Sequence, residues 1–427
     1  MKTNLHHNEH YSFATLKEER LAIVVCYVST DIHNERSAKR RAAELVYTEA
    51  LLAGAGSYDR AAFLDALNSL GASITATISD GMFTLQLRGR ATVTPKLLAL
   101  TELMMSEPLF STKEMARIKQ NLINTIKEQK ENSAAIAHEH LRNCLYGQED
   151  RRYMYKEDDL IAAVTRITAK ELRTLHAVVL KSYATCSAAG NSSTLSAIEK
   201  SVRTLTKKAN AAEMTGFHQQ KPPCPKLILQ SVPSRQNIDF SLGLPIPITL
   251  LHPDYVPLSF AVRVLGGAGF ASRLMNTVRE KQGLTYDISS RLETFQSDEQ
   301  GYFRIGTYFA PDKAVEGLTS TFSELVRLYK NGINDVEMNR HKIIYQTKQA
   351  LLSDSTARQL NDLHMYHLQK FSLKDISEFK ARVAKISLAE VNEAIRQYLN
   401  PSLLTVSGAG PVGSVKKSLE EFIKTVS

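Results

Sequence analysis

From Leu265 to Ser290 the chain runs LGGAGFASRLMNTVREKQGLTYDISS. Gly266, Gly267 and Gly269 predict a tight loop. A short helix is expected next, with Phe270, Leu274 and Val278 along its apolar side. Gly283 is placed to end that helix in a left-handed cap. Leu284 is expected to open a strand of alternating residues. Arg279 then falls in the last helical turn and Tyr286 just into the strand, so the reversal brings the two side chains into one site. By the residues alone, Arg279 also fits a helix-end cap and Tyr286 a packed strand residue.

Working outward, this stretch belongs to the second of two similar halves, a pattern to be sought before any other. Val164 to Leu172, VTRITAKEL, matches Val383 to Val391, VAKISLAEV. Both segments spell a capping box, Thr168 with Glu171 and Ser387 with Glu390, that satisfies the free amides of a new helix. Each helix leads to a short strand of small residues, Cys186 to Gly190 and Thr405 to Ala409. A final helix follows, from about Thr194 in one half and Gly413 in the other. Further upstream, Gly81 to Leu85 matches Gly301 to Ile305, and Glu114 to Arg117 matches Glu337 to Arg340. Strands occur in runs and helices in runs, which predicts an α+β class with a mixed or antiparallel sheet. The domains are set at 1–210 and 227–427. They join through the polar, proline-bearing stretch from Lys207 to Lys226.

In the first half, strands are expected at Leu21 to Val28, Ser73 to Ile78 and Met82 to Leu87, the last two as a hairpin around Ser79-Asp80-Gly81. Helices are expected near Ser37 to Leu52, Arg60 to Leu70, Pro95 to Met105, Thr112 to Glu131 and Ala134 to Cys144. In the second half, strands are expected at Leu227 to Leu229 and Ile238 to Leu242. Helices follow near Val315 to Tyr329, Val336 to Leu352 and Ala357 to Lys370.

Composition sets the broad class. The 427 residues are 43% hydrophobic and 23% charged, an ordinary soluble globular balance with ample chain for two cores. The net charge of +9 permits acidic partners, but the basic residues are scattered. The densest run, Lys39-Arg40-Arg41, reads as a solvated helix face, so nucleic acid is not expected as a partner. Cys26, Cys144, Cys186 and Cys224 lack metal-type spacing and read as separate buried thiols of a reducing compartment. No apolar run suits a signal peptide or a membrane span. A cytoplasmic location without a membrane partner is the resulting expectation.

With GGAGFASRL followed by VREKQGLTY, on a duplicated α+β unit, the chain resembles the pitrilysin/insulinase family of zinc metallopeptidases. The likeness is closest to the processing-peptidase type and extends over nearly the whole chain. It implies two homologous domains of the pitrilysin/LuxS-like, half-clam type, each a mostly antiparallel sheet covered by helices. It also implies a partner chain that closes a peptide chamber. In such pairs one subunit supplies zinc and the other can supply an Arg/Tyr pair, whose counterparts here are Arg279 and Tyr286. A tyrosine hydroxyl can donate to the oxyanion of a tetrahedral intermediate, and an arginine fork can hold peptide carbonyls. Arg273 reads as structural, bonding to backbone near the loop.

The family's zinc motif is HxxEH, two histidines one helical turn apart with a glutamate base, plus a later glutamate ligand. In the register set by Leu51-Leu52-Ala53-Gly54 these positions are Leu45, Thr48, Glu49 and, later, Thr125. No histidine lies between Arg36 and Lys130. No metal or cofactor is therefore expected on this chain, and zinc is expected on the partner. His6-His7-Asn8-Glu9-His10 satisfies the string but lies in a polar tail with no apolar helical face. His138-Glu139-His140 does not share a helix face. The glycine loop lacks a complete phosphate-binding pattern. The expected function is that of a zinc-free subunit of a heterodimeric metallopeptidase, inactive alone, lending Arg279 and Tyr286 to a peptide substrate. The alternative is an inactive homologue acting as a scaffold or peptide-binding protein. A second alternative is a metal enzyme built on His6, Glu9 and His10.

Overall fold

The computed structural model describes residues 2–32, 37–148, 150–210, 224–352 and 355–426. In the first half the strands are β1 (Lys2–His7), β2 (Tyr11–Lys17), β3 (Ile23–Asp31), β4 (Ser73–Ser79), β5 (Met82–Arg90) and β6 (Ala184–Gly190). Its helices are α1 (Ala38–Leu51), α2 (Arg60–Ser69), α3 (Thr94–Ser106), α4 (Thr112–Gln129), α5 (Ser133–Leu145), α6 (Glu157–Arg166), α7 (Ala169–Lys181) and α8 (Ser192–Leu205). In the second half the strands are β7 (Leu227–Ser231), β8 (Ile238–Ile246), β9 (Ile288–Glu293), β10 (Gly301–Phe309) and β11 (Thr405–Gly410). Its helices are α9 (Tyr255–Val262), α10 (Ala314–Asn331), α11 (Asp335–Leu352), α12 (Thr356–Leu368), α13 (Leu373–Lys385), α14 (Leu388–Tyr398) and α15 (Lys416–Val426).

The first half's sheet runs β1-β2-β6-β3-β5-β4, and the second half's runs β7-β11-β8-β10-β9. Without β1 the two orders are the same, strand for strand. All pairings are antiparallel except β2 with β6 and β7 with β11, which are parallel. The duplication seen in the sequence is thus a duplication of topology. Both capping boxes form, with each hydroxyl accepting the third amide and each glutamate reaching back to the cap. The β4–β5 hairpin turns on Asp80 and Gly81, both at positive φ, as a two-residue hairpin turn demands.

Two compact units emerge, and they do not coincide with 1–210 and 227–427. One comprises Met1–Lys127, Tyr155–Thr215 and Ala350–Ser377; the other comprises Glu128–Met154, Gly216–Gln349 and Glu378–Ser427. Each unit has therefore taken one helix from the opposite half. In the first unit α12 lies on the sheet. His364 Nε2 meets Ser29 Oγ at 2.8 Å, and its Nδ1 meets Ser187 Oγ at 3.0 Å. The Tyr27 ring stacks on His364 with centroids 5.1 Å apart, and His367 Nδ1 meets Ser187 Oγ at 3.2 Å. In the second unit α5 lies on the sheet, where Ser133 donates to Asp239. His138 Nε2 donates to the Tyr302 hydroxyl at 2.6 Å, which donates to Glu293 at 2.6 Å. The expected join, Lys207 to Lys226, lies largely outside the described residues.

Other departures have plain causes. β1 and β2 were not expected. β1 is an edge strand with one apolar residue, and β2 is buried on both faces, so neither shows alternation. α9 is apolar all round because it is buried on every side. Cys144 and Cys224 are joined as a disulfide with Cα atoms 5.4 Å apart, which corrects their reading as separate thiols. Such bonds persist in oxidising compartments, so the cysteine argument for a reducing one falls. Cys26 and Cys186 are free and buried, and burial pushes the Cys26 thiol up to about 12. Among the described residues no helix is long and apolar enough to cross a membrane.

Candidate peptide-binding site

The glycine stretch is held by close packing. A Cβ on Gly266 would sit 2.6 Å from the Ser290 amide nitrogen, so only glycine lets the loop lie against β9. Ser290 in turn donates to the Val262 carbonyl at 2.8 Å. The chain passes through the loop as a wide π-type turn, Arg263–Gly267, and resumes as a second one, Met275–Lys281. Such turns carry one extra residue per hydrogen-bonded ring and are frequent at functional sites. Leu274 and Val278 are fully buried, as expected, but Phe270 is 60% exposed, which corrects its placement on the apolar side. Gly283 does take a left-handed φ of 64°. Its amide bonds to Arg279 O and the Leu284 amide to Val278 O, closing the helix end. The strand then begins at Ile288, later than Leu284, because Thr285 folds back to the Asp287 backbone.

This geometry puts Tyr286 in the short segment between helix end and strand. It is 78% exposed, and its hydroxyl makes no hydrogen bond among the described residues. Arg279 lies on the last turn with its side chain 29% exposed. Its guanidinium sits over the Phe270 ring, 4.6 Å from the centroid, and its Nε is 3.5 Å from Glu280. The two residues are not bonded to each other. Sequence reasoning missed the Phe270 and Glu280 contacts, and a phenylalanine nine positions upstream of Arg279 gives no periodic signal of stacking. Arg273 is structural, as expected, but its partners lie farther along the chain. It forks onto Glu337 with both contacts at 2.7 Å and donates to Gly332 O at 2.8 Å. Burial alone would raise the Glu337 carboxyl, but the Arg273 hydrogen bonds and charge outweigh it and hold it below its ordinary value.

The positions of the family's zinc ligands do not fit the metal. Leu45 has no donor atom, and Thr48 spends its hydroxyl on the Leu45 carbonyl at 3.1 Å. Glu49 and Thr125 are exposed on α1 and α4. Zinc needs thiolate, imidazole or carboxylate donors in a set, and one glutamate does not make one. No step can be routed through zinc on these residues. The N-terminal string is not helical either. His6 and His7 end β1, and Asn8 to His10 form the turn into β2. His6 Nε2 pairs with Glu199 at 3.1 Å, while His10 pairs with Glu9 at 3.3 Å and its Nδ1 lies 2.6 Å from Ala209 O. His138 serves the α5 contact with Tyr302 and Glu293. Among the described residues no three His, Cys, Asp or Glu side chains gather as a metal ion requires.

Residues 166–345 match the family model described as the Peptidase M16 inactive domain. That match and the fold bear out the resemblance to the pitrilysin/insulinase family of peptidases. Among curated relatives, the chloroplastic stromal processing peptidase of Pisum sativum is 29% identical over 160 residues, which is 35% of this chain and 13% of that protein. An uncharacterized zinc protease of Mycobacterium bovis is 25% identical over 202 residues, 47% of this chain and 44% of that one. A Helicobacter pylori protein described as a non-peptidase homolog is 26% identical over 167 residues, 38% of this chain and 37% of that one. The chain thus spans less than half the length of each of these relatives. Among solved structures, a peptidase M16 inactive domain from Pseudomonas fluorescens superposes with a TM-score of 0.83 at 22% identity, covering 96% of this chain and 98% of the other. The periplasmic protease PqqL from Escherichia coli superposes with a TM-score of 0.73 at 15% identity, covering 96% of this chain and 46% of its own.

Proposed function

We propose that this chain is the zinc-free subunit of a two-chain M16-type metallopeptidase, and that it lends Arg279 and Tyr286 to a peptide held in extended form. The observation that carries this reading is the pair itself. A partly exposed cation sits in a wide helix turn and a phenol without a hydrogen bond among the described residues follows it, on a chain whose zinc-ligand positions hold leucine, threonine and a single glutamate. β9, an edge strand paired among the described residues only to β10, begins two residues after Tyr286. Away from Ser290, where the glycine loop lies against it, this edge strand suits strand addition by an extended peptide, with backbone hydrogen bonds giving affinity. In the partner's active site the arginine fork would hold a substrate carbonyl. The tyrosine hydroxyl would donate to the oxygen that gains charge in the transition state. Zinc and the general base come from the partner, a zinc-bearing homologous subunit.

A second reading is a scaffold or peptide-binding protein without catalytic partner. The likeness to a Helicobacter pylori protein described as a non-peptidase homolog favours it. Co-expression with a zinc-bearing homologue from the same genome separates the two. The subunit reading expects a stable complex that cleaves a casein-derived peptide, with neither chain active alone. No complex, or equal cleavage by the homologue alone, leaves the scaffold reading.

A further inference from the structure

We infer that Phe270 is a positioning residue for Arg279, holding the guanidinium in a peptide-binding orientation against the pull of Glu280. The inference rests on the proposed function above and deepens it. Phe270 is a large apolar side chain left 60% exposed beside a loop that buries its neighbours Leu265 and Leu274 completely. What it touches is the Arg279 guanidinium, 4.6 Å from the ring centroid. On the other side Glu280 offers its carboxylate at 3.5 Å, too long for a good hydrogen bond but close enough for charge attraction. An arginine in the last turn beside an acidic neighbour has two low-energy poses. In one it closes onto the carboxylate and its charge is spent. In the other it lies flat on the aromatic face, which leaves the N–H edge free for a carbonyl, since the stacked contact uses the plane and not the fork. The ring tips this balance toward the second pose. Tyr286, with a free hydroxyl and 78% exposure, then stands as the second polar contact of the same peptide. The ligand class is an extended peptide gripped by its backbone carbonyls.

The test uses the full chain and a fluorescein-labelled, unstructured casein peptide, with anisotropy as the readout. Arg279→Ala is expected to weaken binding about ten-fold or more. Phe270→Leu, which keeps apolar bulk but removes the ring, is expected to weaken it about three-fold, and Phe270→Tyr to leave it within about two-fold of wild type. In an Arg279→Ala background Phe270→Leu should have no further effect, because the ring acts only through the guanidinium. Adding Glu280→Gln to Phe270→Leu should restore binding, because the competing carboxylate is gone. If Phe270→Leu weakens binding equally with and without Arg279, or does nothing while Arg279→Ala does, the positioning role is overturned and the peptide site stands. If Arg279→Ala has no effect, or the wild-type chain does not bind the peptide, the peptide site falls and the positioning role with it.

Discussion

At the scale of single residues, glycine and arginine at the Leu265 to Ser290 stretch divide the labour between packing and binding. Gly266 has no room for a Cβ, whereas Gly269 has a φ of 58° but open space around it. Gly266→Ala should therefore cost more, about 1–3 kcal/mol for forced overpacking, than Gly269→Ala, about 1 kcal/mol for backbone strain. Thermal unfolding of the two variants checks the order, and an equal loss contradicts the close approach to Ser290. Arg273→Ala removes a bidentate ion pair and a carbonyl contact, and should lower the melting temperature with a loss of roughly 1.5–3 kcal/mol. Arg279→Ala should leave the melting temperature close to wild type, since among the described residues its side chain has an exposed ion pair with Glu280 and a ring stack on the exposed Phe270 rather than a buried bidentate pair. A melt in which Arg279→Ala is the worse of the two would reverse the assignment of roles.

At the scale of elements, the two exchanged helices are fastened by contacts that give way to acid at different pH. Burial, with His367 nearby, pushes His364 down to about 3, and burial pushes His367 down to about 4. Unfolded, both titrate near the ordinary histidine range, so the unfolded chain binds more protons below that point. The stability held in α12 is therefore complete above a pH of about 6.5 and lost as pH falls toward 4. On α5, burial would raise the Glu293 carboxyl, yet the His138 and Tyr302 hydrogen bonds and Arg304 outweigh it and hold it well down. That contact is kept deeper into acid. Hydrogen exchange at pH 7 and pH 5 should show α12 amides losing protection while α5 amides keep theirs. Uniform loss across both helices would refute the difference. Much at this scale was legible beforehand. The capping boxes, the Asp80-Gly81 turn and the alternating strands carry local signals that tertiary contacts do not override. β1 and β2 were not legible, because one is polar and the other wholly buried. The Phe270 contact was hidden too, since the extra residue in each π turn shifts every face by about a quarter-turn.

On the scale of the whole molecule, the exchange of α5 and α12 means that neither sequence half holds a complete unit. A fragment of residues 1–210 would lack α12 and leave Ser29, Ser187 and the Tyr27 ring without their covering histidines. We expect that fragment to bind hydrophobic dyes and aggregate, and to recover solubility when a peptide of residues 350–377 is supplied. A monomeric, cooperatively folding 1–210 fragment would contradict the exchanged arrangement. The duplication itself was legible from VTRITAKEL and VAKISLAEV, but the exchange was not. Nothing in an amphipathic helix states which of two similar sheets it will cover. This chain is proposed to act in trans, with no zinc-ligand set at the family's positions, Arg279 stacked on Phe270 and the Tyr286 hydroxyl without a hydrogen bond among the described residues. The most direct test is the kcat for casein-peptide cleavage by the zinc-bearing homologue saturated with this chain, wild type against Arg279→Ala/Tyr286→Phe. The account predicts an intact complex whose kcat falls by about 100-fold or more, the scale of losing an oxyanion donor. An intact complex with unchanged kcat would contradict it.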